Sequence, residues 1–338
     1  MLCMVIDAHG HYTTVPAGLR VFRALQISQM GKPVKSTVNI GDDEIRASLE
    51  KAQLKLLDER GIDVTLFSPM ASAMGHHFGS ALVSRYWTAV NNELIHRVCR
   101  LYPNRFVGVC SLPQSPGVSP RESVEELERC INDFGFVGCN LNPDPSGGYW
   151  TGPPLGDEWW YPLYEKLEAL DAPAMIHASA TCNPAFHTTG SHYLNVDGTA
   201  FLQLMESRVF SDFPRLRIIL PHGGGNVPYQ AARYRALSIM NTWEPFDEFI
   251  RRLYFDTTVY SQEAMELLIK VLGVDNVMYA SEMMGGVNAI DPATGRSFDD
   301  NRRFIDAIPW LTEQDRRKIF EDNARKAYPR LRAPAAKI

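Results

Sequence analysis

Eight short apolar runs recur along the 338-residue chain, and most are followed, after a loop, by a helical pattern. The runs lie at 4–7, 63–68, 106–111, 137–141, 174–177, 216–220, 253–257 and 277–280. This alternation predicts a parallel sheet covered by helices. A doubly wound open sheet is the alternative, but the glycine-rich nucleotide turn expected after an early strand is missing from the sequence. We therefore predict an α/β fold, a (β/α)8 TIM-type barrel forming a single domain over residues 1–338, with long active-site loops.

The helical patterns are clearest where apolar residues recur at helical spacing between these runs. They cover 42–60, 79–102, 119–134, 159–170, 199–206, 227–240 and 262–272, and further helices are predicted after 299. Residues 12–39 contain several prolines and glycines, so this segment is predicted to be a long loop with at most a short helix.

Charge and cysteine usage narrow the class of protein. A net charge of −5 gives no reason to expect nucleic acid or an anionic membrane as a partner. The six cysteines form no C-x-x-C pair, and several lie inside apolar runs, as free buried thiols do. Neither a signal-like amino terminus nor a stretch of transmembrane length is recognisable in the sequence. We therefore expect a cytoplasmic protein.

Histidines collect where the predicted strands end, which is where barrels of this type place functional groups. His9 and His11 are two residues apart on the first strand, so both imidazoles point to one side and can chelate one metal ion. His177 ends the fifth run, and Glu282 follows the eighth. Two or three imidazoles and a carboxylate suit Zn²⁺ with one position left for water. The same set can hold Mn²⁺, Fe²⁺ or Co²⁺.

His222 precedes three glycines after the sixth run and has two interpretations. It is either a further metal ligand or a group that polarises a substrate carbonyl, and the glycines allow a close backbone approach. Asp256, at the end of the seventh run, is a candidate for supporting a ligand from behind.

Other polar residues near the strand ends give weaker signals. His76 and His77 are adjacent, so at most one of them faces the site, and exposure is the commoner outcome for such loop histidines, including His187. Arg233 and Arg235, in the helix after the sixth run, can clamp a substrate carboxylate, although ordinary surface arginines fit the pattern nearly as well.

Four motifs together carry a resemblance to a known family. They are Ile-Asp-Ala-His-Gly-His at 6–11, Met-Ile-His at 175–177, Pro-His-Gly-Gly-Gly at 221–225 and Asn-Ala-Arg at 323–325. The chain resembles the amidohydrolase superfamily, in the branch of the aminocarboxymuconate-semialdehyde decarboxylase-like proteins. The resemblance spans nearly the whole chain. It implies a metal-dependent barrel that acts as a hydrolase, decarboxylase or hydratase on small acids.

One departure narrows this resemblance. Most of the superfamily carries an aspartate after strand eight, whereas this chain has Ala-Ser-Glu-Met at 280–283. Together with the loops at 140–148 and 182–190, this feature resembles the 4-oxalomesaconate hydratases of bacterial protocatechuate and gallate breakdown. The resemblance implies zinc held by His9, His11, His177 and Glu282. It also implies that Glu282 helps to activate water, with Tyr193 and His222 near the substrate. The predicted substrate contacts are Asn142, Arg233, His76 and Ser281.

The hypotheses are ranked by how many of these features each uses. The first is a hydratase, in which Glu282 takes a proton from water, His222 stabilises an enolate and Tyr193 protonates carbon. The second is a decarboxylase of a muconate or aromatic acid, and the third is a hydrolase of a cyclic ester or amide. The fourth is a metal-dependent binding protein without catalysis. We expect a small polycarboxylate substrate and a homo-oligomer.

Overall fold

The strands of the computed structural model close into a barrel. The structure describes residues 3–29, 32, 35 and 38–331. Eight parallel strands pair in chain order from β1 to β8. Between the first and last strands, the Ala8 N–H donates to the Tyr279 carbonyl at 2.9 Å and the Glu282 N–H donates to the His9 carbonyl at 3.0 Å. These bonds complete the ring, so the predicted TIM-type barrel is confirmed.

The strands lie close to the predicted apolar runs. They are β1 (Ile6–His11), β2 (Val64–Ser68), β3 (Phe106–Ser111), β4 (Gly138–Leu141), β5 (Ala174–Ile176), β6 (Ile218–Leu220), β7 (Leu253–Asp256) and β8 (Val277–Met278). Among the connections that lead from a strand to the next helical segment, the longest follow β4, β5 and β8, at 142–157, 177–187 and 279–301. All three lie at the carboxyl end of the barrel, as predicted for the active-site loops.

Helices cover the outside of the barrel. The α-helices are α1 (Ala17–Ser28), α2 (Asp42–Glu50), α3 (Gln53–Glu59), α4 (Ala81–Leu101), α5 (Val124–Asn132), α6 (Tyr161–Ala169), α7 (Tyr193–Met205), α8 (Val209–Asp212), α9 (Ala231–Asn241), α10 (Phe246–Phe249), α11 (Gln262–Leu272), α12 (Arg302–Asp306), α13 (Glu313–Arg317) and α14 (Asn323–Ala327). Short 3-10 turns lie at Ala71–Ala73, Pro120–Ser123, Glu158–Trp160, His222–Gly224 and Ile250–Arg252, and π-helical turns at Thr188–His192 and Lys318–Asp322. In the described part of the chain, no helix is both long and apolar enough to cross a membrane.

A bulge in β1 turns its two histidines into the barrel. The four residues of β1 from Asp7 to Gly10 lie opposite only three residues of β2, from Thr65 to Phe67, so one extra residue shifts the register. Ile6 and Ala8 pack in the barrel interior before the bulge. A Cβ on Gly10 would lie 2.2 Å from the Thr65 methyl group, so this side of the strand is tightly packed after the bulge.

Three helical segments differ clearly from the prediction. The predicted helix over 42–60 is broken at Ala52, and the Gln53 side chain then donates a 2.6 Å hydrogen bond to the buried His11 carbonyl. The predicted loop over 12–39 contains the regular helix α1, and part of this segment lies outside the described residues. The predicted helix over 199–206 begins at Tyr193, because a π-helical turn leads directly into it.

Candidate metal centre and active site

Four imidazoles and one carboxylate converge at the carboxyl end of the barrel. His9 and His11 belong to β1, His177 follows β5, His222 follows β6 and Glu282 follows β8. Each of the five is at most 9% exposed. Polar groups of this kind are rarely buried together without a bound partner. Their joint burial therefore indicates a binding site.

Three of the imidazoles meet at one point. The Nε2 atom of His11 lies 3.0 Å from that of His9 and 3.1 Å from that of His177. One ligand atom each from His9, His177, His222 and Glu282 also forms a group within 4.8 Å of one another. The predicted ligands His9, His11, His177 and Glu282 are thus brought together, and His222 stands beside them.

The opposite ring nitrogen of each of these three imidazoles faces an oxygen atom. The partners are the Asp256 carboxylate for His9 (2.7 Å), the Ser68 hydroxyl for His11 (2.8 Å) and the Ala178 carbonyl for His177 (2.9 Å). A neutral imidazole that donates from Nδ1 keeps a lone pair on Nε2. Three lone pairs facing each other repel unless a cation lies between them. The donor set therefore fits a divalent transition metal.

Burial favours the neutral form of two imidazoles of the candidate metal centre, those of His11 and His177. It lowers the pKa values of His11 and His177 well below the ordinary value, and the neighbouring imidazoles lower them further. A neutral imidazole is the form that binds a metal.

Asp256 fixes the ring of His9 from behind. Its Oδ2 atom accepts the bond from His9, while Oδ1 accepts from the Gly223 N–H at 3.1 Å and the Thr258 N–H at 3.0 Å. Burial is the largest single effect and opposes ionisation of this carboxyl group, but the hydrogen bond from His9, the nearby imidazoles and the Thr258 N–H together outweigh burial and lower the pKa of Asp256. The sequence suggested that Asp256 orients a neighbouring histidine, and in the structure it forms a hydrogen bond with His9.

Replacing Asp256 with asparagine is expected to weaken metal binding by about 10-fold to about 100-fold, because His9 loses a charged partner. Competition with a chelator of known affinity measures the change. Asp275→Asn is the matched control, since Asp275 is an exposed carboxylate that pairs with Lys318. Equal metal affinity in the Asp256 variant and the wild type would show that this bond does not support the site.

His222 is oriented by a buried carboxylate and an aromatic ring. Its Nδ1 atom lies 2.9 Å from Asp197 Oδ2, and the Tyr193 ring stacks on it with centroids 5.5 Å apart and an interplanar angle of 4°. Its Nε2 atom has no hydrogen-bond partner among the described residues. Burial is the largest single effect and disfavours the charged imidazole, but the carboxylates of Asp197, Glu282 and Asp256 together outweigh burial and raise the pKa of His222 to about 9. His222 is thus set up as a hydrogen-bond donor.

The glycine turn after His222 places this ring against α7. His222 itself has a φ of 51°, and the three following glycines also have positive φ. A Cβ on Gly225 would lie 2.6 Å from the Leu194 carbonyl oxygen and 3.0 Å from Asp197 Cβ. Only a residue without a side chain fits this approach between the turn and the helix that carries Asp197.

Glu282 occupies a strained backbone position at the centre of the site. Its φ of 47° lies in the left-handed region, which non-glycine residues rarely adopt. One carboxylate oxygen, Oε1, lies 3.9 Å from His11 Nε2, and the other, Oε2, lies 3.8 Å from His222 Nε2. The carboxylate therefore bridges the histidine cluster and the space beside it.

A cavity of about 380 Å³ opens next to Glu282. Its polar side chains include those of Tyr193, His222, Thr258, Tyr260 and Glu282, and no lysine or arginine is among its described lining residues. A volume of this size suits a small organic acid. Hydroxyl groups and His222, rather than arginines, are the donors available to such a ligand here.

The comparison with protein families covers nearly the whole chain. The amidohydrolase family model matches residues 6–330. The chain belongs to the amidohydrolase family. Amidohydrolases are metal-dependent, in agreement with the donor set described above.

Individual amidohydrolases differ in how closely they match. The chain is 49% identical to a 2-keto-4-carboxy-3-hexenedioate hydratase from a Sphingobium strain, with 98% of both chains covered. It superposes with a TM-score of 0.90 and 47% identity on the solved structure of a 4-oxalomesaconate hydratase from Rhodopseudomonas palustris, covering 97% of this chain and 96% of that one. A dihydroxybenzoic acid decarboxylase from Polaromonas, solved with bound manganese, shares the fold at 20% identity and a TM-score of 0.70, with 97% of each chain covered.

Two of the predicted substrate contacts, Ser281 and Asn142, form hydrogen bonds to other groups of the protein. Ser281 is fully buried, and its hydroxyl and N–H both donate to the Asp7 carboxylate. Asn142 is also buried, donates to the Ser179 hydroxyl at 3.3 Å and accepts from the Asp144 N–H at 3.0 Å. Neither residue is among the described lining residues of the cavity, so their contacts with substrate stay predictions.

The other predicted contacts are also away from the described cavity lining. His76 is buried with its Nδ1 atom 3.2 Å from the Gln114 carbonyl oxygen. Arg233 is exposed on α9 and donates to Gln230 Oε1 at 3.3 Å. For Arg233 the structure favours the ordinary surface position over a carboxylate clamp, because its guanidinium lies at the surface rather than beside the cavity.

Two residues near the reacting groups were given no role by the sequence patterns. Asp197 stands one helical turn after Tyr193 on α7, so both reach His222. That spacing becomes a signal only when the helix is known to begin at Tyr193. Tyr260 follows β7 and donates its hydroxyl to Glu282 Oε2 at 3.4 Å. No local pattern distinguishes it from a packing tyrosine.

Proposed function

We propose that this chain is a metal-dependent hydratase that adds water to the C=C bond of 4-oxalomesaconate, also named 2-keto-4-carboxy-3-hexenedioate. The product is 4-carboxy-4-hydroxy-2-oxoadipate, formed in the degradation of protocatechuate and gallate. The observation that carries the proposal is near full-length identity of 49% to a hydratase of this substrate. The buried carboxylate of Glu282, placed between the histidine cluster and the cavity, supports it.

We assign the metal to His9, His11, His177 and Glu282, and Zn²⁺ is the proposed ion. Three imidazoles and one carboxylate are typical zinc ligands, although Mn²⁺ accepts the same donors. When bound, such an ion polarises a water molecule and lowers its pKa toward neutrality.

The substrate's connectivity decides where each proton goes. A keto group at C2 conjugated to the C3=C4 double bond makes C4 the electrophilic carbon. Glu282 accepts a proton from the water whose oxygen bonds to C4, and the electron pair of the double bond moves toward the C2 oxygen. The enolate formed in this way must then gain a proton at C3 to complete the addition.

His222 stabilises the enolate, and Tyr193 supplies the proton that C3 needs. His222 Nε2 faces the cavity and donates a hydrogen bond to the C2 oxygen as negative charge develops there. Burial and the nearby Glu282 raise the pKa of Tyr193, so its phenol keeps its proton until C3 takes it. Glu282 gains one proton and Tyr193 loses one, so the net change in the substrate is one added water.

Incubation of the metal-loaded protein with 4-oxalomesaconate tests this function. Mass spectrometry is expected to show a product heavier by one water, together with loss of the conjugated absorbance. Heat-treated protein is the control for any change in the substrate that does not need the folded protein. A product lighter by one carbon dioxide would instead identify a decarboxylase, the activity of more distant relatives.

A further inference from the structure

We propose that Tyr260 is a positioning residue that fixes the orientation of the Glu282 carboxylate. The inference rests on the proposed hydratase function, in which Glu282 is the base. Tyr260 lies between the strand end that carries Asp256 and the helix α11, and it lines the cavity. Its phenol oxygen is 3.4 Å from Glu282 Oε2. In the described part of the chain, this is the one side-chain hydroxyl in hydrogen-bond contact with Glu282.

The two oxygens of Glu282 face different surroundings. Oε1 is directed toward His11 in the metal cluster, whereas Oε2 is directed toward His222 and Tyr260 at the cavity. An ionised carboxylate has no hydrogen to give, so the phenol must be the donor in this pair. A hydrogen bond from a donor at a fixed position limits rotation of the carboxylate about its last torsion. Tyr260 thereby holds one oxygen toward the metal cluster and the other toward the substrate.

The backbone of Glu282 makes such a contact more important. Its left-handed φ places the side chain on a short turn, in which the Gly285 N–H donates to the Glu282 carbonyl at 2.9 Å. The turn fixes the main chain, but the outer torsions of a glutamate remain free to rotate. The side chain therefore depends on its hydrogen-bond partners for its orientation.

Tyr260 itself is held by neighbours on both sides. The Val259 N–H donates to the Thr257 carbonyl at 2.7 Å, and Val259 packs where a Cβ on Gly223 would lie only 2.6 Å from its methyl group. Ser261, on the other side, caps α11 by accepting from the Ala264 N–H at 3.2 Å. These backbone contacts on both sides of Tyr260 fix the position of its phenol, which can then orient the Glu282 carboxylate.

The variant Tyr260→Phe tests this role because it removes one oxygen and keeps the ring. The kcat for hydration is expected to fall by about 10-fold to about 100-fold, while KM stays within about threefold, because the lost bond acts on the base. The decrease in kcat should not add to the decrease caused by Glu282→Gln, because both changes act on the same carboxylate. The kcat of the double variant is therefore expected within about threefold of that of Glu282→Gln alone. Tyr229→Phe is the matched control, since Tyr229 is 79% exposed and outside the described cavity lining.

A second readout separates this inference from the proposed function. In the Co²⁺-loaded protein, Tyr260→Phe is expected to change the visible absorption bands of the ion, because a ligand carboxylate changes orientation, whereas Tyr229→Phe leaves them as in the wild type. A wild-type protein that does not hydrate 4-oxalomesaconate overturns the function, and the Co²⁺ spectrum then decides the role of Tyr260. An unchanged spectrum, or a raised KM with unchanged kcat, overturns the positioning role.

Discussion

Replacing Glu282 with glutamine is expected to lower the kcat for hydration of 4-oxalomesaconate by about a thousandfold, within the range for removal of a general base. Glutamine keeps the size of the side chain and one oxygen near His11, but it cannot accept the proton that water must lose. The substrate still enters the same cavity, so KM should change much less than kcat. Steady-state kinetics on protein with measured metal content separates these two parameters.

The control for this experiment is Glu263→Gln on the first turn of α11. Glu263 is exposed and is not among the described residues that line the cavity. It should therefore keep wild-type kinetics and unfolding temperature. Near-normal turnover by metal-loaded Glu282→Gln would contradict the assignment of the base. A variant without metal would instead show that the carboxylate charge is needed chiefly to hold the ion, so metal content is measured on the same sample.

Replacing His11 with alanine is expected to abolish stoichiometric metal binding, whereas His222→Ala should retain the metal and lose turnover. The three rings of His9, His11 and His177 are compact, with centroids 4.8 to 5.0 Å apart. The ring of His222 stands farther out, 5.6 Å from His9 and 5.2 Å from His177. His11 also has its Nε2 atom nearest to those of the other two. The inner three are therefore assigned to the ion and His222 to the substrate.

Elemental analysis after dialysis, combined with kinetics, distinguishes these two roles. His96→Ala provides the control, because His96 lies on α4 and stacks on Phe134 outside the site. Loss of metal from His222→Ala with retention by His11→Ala would reverse the assignment. Loss from both variants would mean that His222 is a further ligand, the other interpretation that the glycine-rich motif allows.

The barrel and the convergence of the candidate metal ligands were predictable because their signals are local. Each short apolar run and its helix follow from residue spacing, and His9 and His11 reach the same site through the two-residue period of a strand. His177 and Glu282 follow other strands, and their meeting with His9 required only the rule that strand ends share one face. The amidohydrolase resemblance carried by the motifs is confirmed over residues 6–330.

The supporting residues were less predictable because they depend on where helices begin and how side chains turn. Asp197 contacts His222 only because α7 starts at Tyr193, and that start depends on a π-helical turn that periodicity does not signal. Arg233 is a residue for which the sequence pattern was misleading: its helix was predicted correctly, but its side chain faces solvent. The bulge in β1 is also invisible locally, as it is defined by pairing with β2.

The central claim is that this chain adds water across a conjugated double bond without losing a carboxyl group. The most direct measurement is turnover of 4-oxalomesaconate by the metal-loaded wild type in heavy-oxygen water, followed by mass spectrometry and carbon NMR of the product. The expected product carries one labelled hydroxyl group on the tertiary carbon C4 and retains all three carboxylates. A product that has lost carbon dioxide, or no product from fully metal-loaded protein, would contradict it.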